Sequence, residues 1–235
     1  MNIKYFFLTS VLFTLLMGSC KKDPCCKLIP GPSLNYIDLN NLSIGQKSKY
    51  LLLWGEEYRV GDGSNYFYLD DTLILEVVAK DPQKGFMIEE RFHYLGDVYT
   101  SWLEDEKDDV FQYFLKVSQD TLSILPVTGS FYKSRIFKSE YNGLKLPLAP
   151  IDQPEAQILG WFTNLSYCAC NTKGFVKNYT QFGRIFPKLN LVVNNWPMAS
   201  DGPGATFLYG PSEGFVRFSY YSAWTGSGYG FDLLP

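Results

Sequence analysis

Any imidazole chemistry in this chain must work with a single histidine. His93 stands alone among 235 residues, which excludes sites needing two, such as bis-His haem ligation or an HExxH zinc centre. A Ser-His-Asp or Cys-His nucleophile would have to use it. Yet His93 alternates with Glu89 and Arg91 in a strand-like stretch, and reads as part of a solvated face. Haem ligation would need Met87 or Met198 as its second ligand. The run Glu104-Asp105-Glu106-Lys107-Asp108-Asp109 offers carboxylates for Ca²⁺ but lacks the alternating ligands and central Gly of an EF-hand loop. It reads as a charged loop. Glycosidase carboxylates are defined by their separation in space; Glu56, Glu57, Glu89 and Glu90 are candidates that spacing alone does not rank. Gly226-Ser227-Gly228-Tyr229-Gly230 imitates a phosphate loop without the βαβ pattern or Lys-Ser/Thr that such a loop needs, and reads as a turn. No catalytic residue, metal or cofactor is assigned; the chain reads as a non-enzymatic binding or accessory subunit, with an envelope or polysaccharide hydrolase using paired carboxylates and a structural surface protein as the alternatives.

Aromatic side chains are the richer signal. There are 18 Phe, 17 Tyr and 5 Trp beside 20 Gly and 13 Pro, a balance that favours short strands and tight turns over helices. Most of these rings suit core and cross-strand packing. The segment from Trp196 to Phe231 interleaves them with Gly, Ser and Asn, and Trp196, Trp224 and Tyr229 are expected in loops. Exposed loop aromatics need a reason. They either fold over the end of the sheet or form a stacking platform for a glycan or a protein partner.

The amino-terminal end says where the chain resides. Lys4 precedes an apolar stretch from Tyr5 to Met17, which is shorter than the roughly 20 residues of a membrane span. Leu16-Met17-Gly18-Ser19-Cys20 follows, then Lys21-Lys22-Asp23. This arrangement resembles the signal and lipobox of Bacteroidota-type lipoproteins. The resemblance implies removal of residues 1–19, acylation of Cys20 with palmitate-like chains, and lipid anchoring in the cell envelope at the outer membrane. Residues 20–33 then form a lipidated tether and 34–235 a single domain. The same resemblance extends to Asp71-Thr72-Leu73 and Asp120-Thr121-Leu122, which look like O-glycosylation sites of such proteins with Thr72 and Thr121 as acceptors. The bilayer is one expected partner and a glycan or envelope protein the other. With 21 Lys and Arg against 24 Asp and Glu, and no basic run, a nucleic-acid partner is not expected.

Four further cysteines remain: Cys25, Cys26, Cys168 and Cys170. An even number in an exported chain favours disulfides. Adjacent Cα atoms lie about 3.8 Å apart, too close for an unstrained Cys25–Cys26 bridge. Cys168 and Cys170 on one strand would sit about 6.6 Å apart with parallel side chains. Both remaining pairings join the tether to residues 168–170. The first such bridge closes a loop of about 140 residues and restricts the unfolded chain by roughly 4–5 kcal/mol. Zinc is the alternative for four thiols, without the usual two-residue knuckle spacing.

Positioning falls to strands. Runs suited to them cover Lys49–Tyr58, Tyr66–Lys80, Gly85–Leu95, Val98–Leu103, Val110–Val117, Thr121–Leu125, Gln157–Tyr167, Phe175–Tyr179, Leu189–Asn194, Thr206–Tyr209 and Gly214–Ser222. Asp81-Pro82-Gln83-Lys84-Gly85 and Ser118-Gln119-Asp120 are turn sequences between neighbours. Phe86, Ile88, Glu90, Phe92 and Tyr94 share a parity directed at the core. Val216, Phe218 and Tyr220 alternate with Phe215, Arg217, Ser219 and Tyr221. Gly143, Pro147, Pro150 and Pro154 mark 142–154 as a candidate sub-boundary. The expected fold is all-β: an antiparallel sandwich or barrel-like meander with long aromatic-rich loops.

Overall fold

The computed structural model describes residues 36–55, 65–95, 110–128, 131, 133–137, 143–160, 162–165, 172–195, 204–222 and 227–235. Asn35–Pro235 form one compact unit. Thirteen strands are described: β1 Lys47–Gly55, β2 Tyr66–Asp81, β3 Gly85–His93, β4 Val110–Ser118, β5 Thr121–Pro126, β6 Leu144–Pro147, β7 Ile158–Leu159, β8 Phe162–Thr163, β9 Thr172–Gln181, β10 Arg184–Asn195, β11 Gly204–Gly210, β12 Gly214–Ser222 and β13 Ser227–Leu233. No helix occurs among the described residues. The protein is all-β, and eleven strands form one antiparallel sheet in the order β6-β5-β4-β3-β2-β1-β13-β12-β11-β10-β9. It is a single curled sheet rather than a two-sheet sandwich.

Every neighbour in that order is also a neighbour in sequence except one. β1 pairs with β13, Tyr50 facing Leu233 and Trp54 facing Tyr229, and so joins two local meanders at mid-sheet. The hairpin ends have local causes. Asp81 accepts hydrogen bonds from the backbone N–H groups of Gln83 and Lys84, each at 2.8 Å, before Gly85 turns with φ 99°. A Cβ at Gly85 would lie 2.4 Å from the carbonyl oxygen of Leu115, so glycine is required twice over.

Curling brings distant strands to one core. Leu122 and Ile124 of β5 and Leu146 of β6 share a buried cluster with Phe207 and Tyr209 of β11. The Tyr209 hydroxyl donates to the carbonyl of Pro147 at 2.7 Å, and the Asn190 amide donates to the carbonyls of Pro147 and Ala149. These bonds fasten the β6 edge to β10 and β11. The Gly- and Pro-rich stretch around 142–154 therefore carries an edge strand and a closure inside one unit.

The concave side is filled by residues between β5 and β6. Phe131 and Phe137 are fully buried. Phe137 meets Tyr113 of β4 at 5.1 Å and Phe207 of β11 at 5.8 Å, touching both meanders at once. The inward parity read for β3 explains how this segment is held. Glu90 is 1% exposed; its carboxylate accepts from the Ser134 hydroxyl at 2.8 Å and from the backbone N–H of Arg135. The Ser134 oxygen in turn accepts from the backbone of Ile136 and Phe137. A buried carboxylate with donors aimed at it is a fixed anchor.

The convex side has a smaller core over β9–β12. Leu189, Leu191 and Val193 of β10, with Leu208 and Val216, are covered by Ala156 and Leu165 from the connection between β6 and β9. Two sequence expectations change here. Among its described residues, Gln157–Tyr167 holds the short β7–β8 hairpin rather than a long strand. Ser227–Gly230 begins β13 rather than forming a turn. Gly230 answers crowding: a Cβ there would approach the Phe218 carbonyl oxygen to 2.5 Å.

Candidate functional site

Beside this convex core lies an open groove of about 780 Å³. Its walls come from the start of β2, from β9 and the turn after it, and from residues 155–160. The floor is a buried polar network. Arg217 of β12 faces Asp232 of β13 across the ladder and makes a two-point ion pair with it, at 4% and 0% side-chain exposure. The Tyr68 hydroxyl donates to the second Asp232 oxygen at 2.6 Å. Arg217 also donates to the carbonyl of Gly160 and lies 5.7 Å from the Tyr179 ring centre. Tyr179 donates to Gln181, whose amide reaches the carbonyls of Val216 and Leu233. Each buried polar group named here has a partner, so the floor is rigid.

Electrostatics follow from that burial. Desolvation, with Asp232 beside it, pushes the Tyr68 phenol well above its ordinary range. Desolvation does the same to Tyr179, against the opposing influence of Arg217. Burial alone would lower Arg217, but Asp232 and the two tyrosines carry it upward, so it stays a cation. The second ion pair at the groove, Lys177–Glu155 at 2.8 Å, is half exposed and ties β9 to the segment that runs alongside it. Above this floor sits an aromatic rim. Tyr66, Tyr68 and Phe182 are 36%, 37% and 39% exposed. Tyr68 packs against Phe182 at 5.2 Å and edge-on to Tyr66 at 6.0 Å. Such an arrangement can stack on a flat ligand and hydrogen-bond its edges.

Tyr229, expected in a loop, is a core residue of β13. It is 3% exposed, and its hydroxyl donates to the Arg135 carbonyl at 2.9 Å. Trp196, Trp224, Met198, Glu56, Glu57, the acidic run 104–109 and all five cysteines, Cys20, Cys25, Cys26, Cys168 and Cys170, lie outside the described residues. Thr72 is half-buried in the middle of β2, between Leu51 and His93, while Thr121 opens β5 after its turn. His93 is exposed on the convex side of β3. Met87 lies six residues away on the same strand, about 20 Å, so the two cannot ligate one iron. Glu89 and Glu90 point to opposite faces. Glu89 is held below the usual carboxylate range by Arg91 and by Gln112, the reverse of what a general acid needs. Among the described residues no group of three metal-ligating side chains occurs.

The groove itself was not legible. Asp232 belongs to no strand expected from the sequence, and without it Arg217 reads as an outward, solvated cation. The one local clue is Phe182-Gly183, a bulky ring beside the glycine of a tight turn.

No family model matches the chain, and no curated protein does. A solved crystal structure from Bacteroides fragilis NCTC 9343, of a protein described as exported and YmcC-like in fold, is similar with a TM-score of 0.39 and 11% identity, over 85% of this chain and 97% of that one. A likeness at that level identifies neither the fold nor the activity of this chain.

Proposed function

We propose that the chain is a lipid-anchored protein of the bacterial cell envelope that binds a glycan without turning it over. The observation that carries binding is the aromatic rim of Tyr66, Tyr68 and Phe182 over a fully paired polar floor. Rings supply a flat apolar contact; carbonyl, amide and phenol groups supply polar edges. The anchor rests on Leu16-Met17-Gly18-Ser19-Cys20 and on its lipoprotein resemblance. Two bridges from Cys25 and Cys26 to Cys168 and Cys170 would leave only Lys21–Pro24 free, a reach of about 14–18 Å from the lipid. A glycan array probed with the full chain tests the binding reading, and signal on no saccharide removes it. Labelled palmitate that enters the wild type and a Cys20→Ala variant equally removes the anchor. Peptide mapping without reductant that finds four free thiols removes the tether.

Hydrolysis is the weaker reading. Among the described residues, Glu155 and Asp232 at the groove are each committed to an ion pair, and Glu90 anchors the interior segment. An array without binding would favour a structural surface role or a protein partner.

A further inference from the structure

We infer that Phe182 is the specificity-determining residue of the groove, where it stacks on the pyranose ring of an uncharged saccharide; this rests on the glycan reading above. The hairpin between β9 and β10 has a two-residue loop closed by Gln181 and Arg184. Both loop residues have positive φ, 47° at Phe182 and 78° at Gly183. That is the φ pattern of a type I′ turn, which calls for Asn-Gly. A bulky side chain in the left-handed region is an outlier that surrounding structure must justify.

Among the described residues, the ring of Tyr68 meets that of Phe182, and core packing supplies no such justification. Phe182 belongs to neither buried cluster, and its ring is 39% exposed. Its described ring partner is Tyr68, itself 37% exposed. The other described non-glycine residues with left-handed φ, Gln119 at 52° and Asn178 at 50°, are both polar, and Asn suits that region. A ring kept at an unfavourable, half-wet position beside two more exposed rings is placed for something that is not part of the fold.

Charge selects the kind of ligand. Among the described residues, the cations lining the groove are Lys177, in a half-exposed pair with Glu155, and Arg217, in a buried pair with Asp232. Arg217 is sealed in its pair and Lys177 already lies against Glu155, so an anion entering the groove would meet a carboxylate beside each of these cations. Its remaining polar lining, Asn178, Gln157 and Thr180, suits hydroxyl groups. A pyranose without charge matches both: its C–H face lies on the ring and its hydroxyls reach the walls.

The test compares the full chain with a Phe182→Asn variant on an array holding neutral hexose and N-acetylhexosamine oligosaccharides beside uronic-acid and sulfated ones. Thermal unfolding of both free proteins is measured alongside. Wild type is expected to bind neutral oligosaccharides. The variant should lose at least tenfold in signal while its unfolding midpoint stays level or rises, since Asn suits the turn. Retained signal, a lowered midpoint, or a wild-type preference for acidic saccharides would each overturn the inference and leave glycan binding standing. No saccharide bound by wild type would remove the glycan reading and this inference together.

Discussion

Arg217 and Asp232 face one another on adjacent strands and form a two-point ion pair sealed from solvent. Taking either away leaves a buried charge with no counterpart. Asp232→Ala should therefore cost about 3–5 kcal/mol, read as a lower urea midpoint with an unchanged slope. Replacing both together, with Arg217→Met and Asp232→Leu, should recover most of that loss. A single variant within about 0.5 kcal/mol of wild type would show the pair to be dispensable.

Glu90 carries the interior segment on two hydrogen bonds. Glu90→Ala leaves the Ser134 hydroxyl and the Arg135 amide without that acceptor, at about 1–3 kcal/mol each. The expected result is a loss of about 2–6 kcal/mol and new protease cleavage near residues 131–137. Cleavage confined to other sites would contradict the anchoring role.

Alkaline pH should unfold the protein through its tyrosines. Burial raises the phenols of Tyr50, Tyr113, Tyr179 and Tyr209 well above their ordinary value. The fold holds these protons more tightly than the unfolded chain does. That stability is complete below about pH 10 and is lost as pH rises through the folded values. Tyrosinate absorbance should thus show an early phase from exposed rings, then a late one coincident with loss of circular dichroism. A single phase near pH 10 in intact protein would refute this.

Two glycines separate backbone strain from collision. Gly45 has φ 91° and open space where a Cβ would go, whereas Gly85 has φ 99° and would place its Cβ against Leu115 backbone. Gly45→Ala should cost about 1 kcal/mol, and Gly85→Ala at least about 2 kcal/mol more for the clash. Equal losses in denaturant titrations would mean that the β3–β4 ladder yields.

Sequence reading recovered what local chemistry controls. Asp81 to Gly85 turns as its residue types require, Gly214–Ser222 has the expected bounds, and the inward parity of Ile88, Glu90 and Phe92 holds. It failed where a distant strand decides. Gly230 reads as a turn residue because its crowding comes from β12. Phe215 joins the main core and Val216 the convex one, since a register shift between Leu208 and Tyr209 breaks the alternation read there. β6 hides among prolines because Pro147 contributes a carbonyl, and no N–H, to its contacts with Asn190 and Tyr209. The groove depends on β13, which supplies Asp232 beside Arg217.

Among the described strands, the one long-range pairing, β1 with β13, has a kinetic consequence. Within each half the chain can zip hairpin by hairpin, but the halves must search for each other across roughly 170 intervening residues, which sets the slow step. A circular permutant opened between β6 and β9, with a short linker from residue 235 to residue 36, would convert that pairing into one more nearest-neighbour hairpin. Such a rearranged polypeptide should reach the same native arrangement sooner, as a plain up-and-down succession from β9 through β13 and β1 to β6.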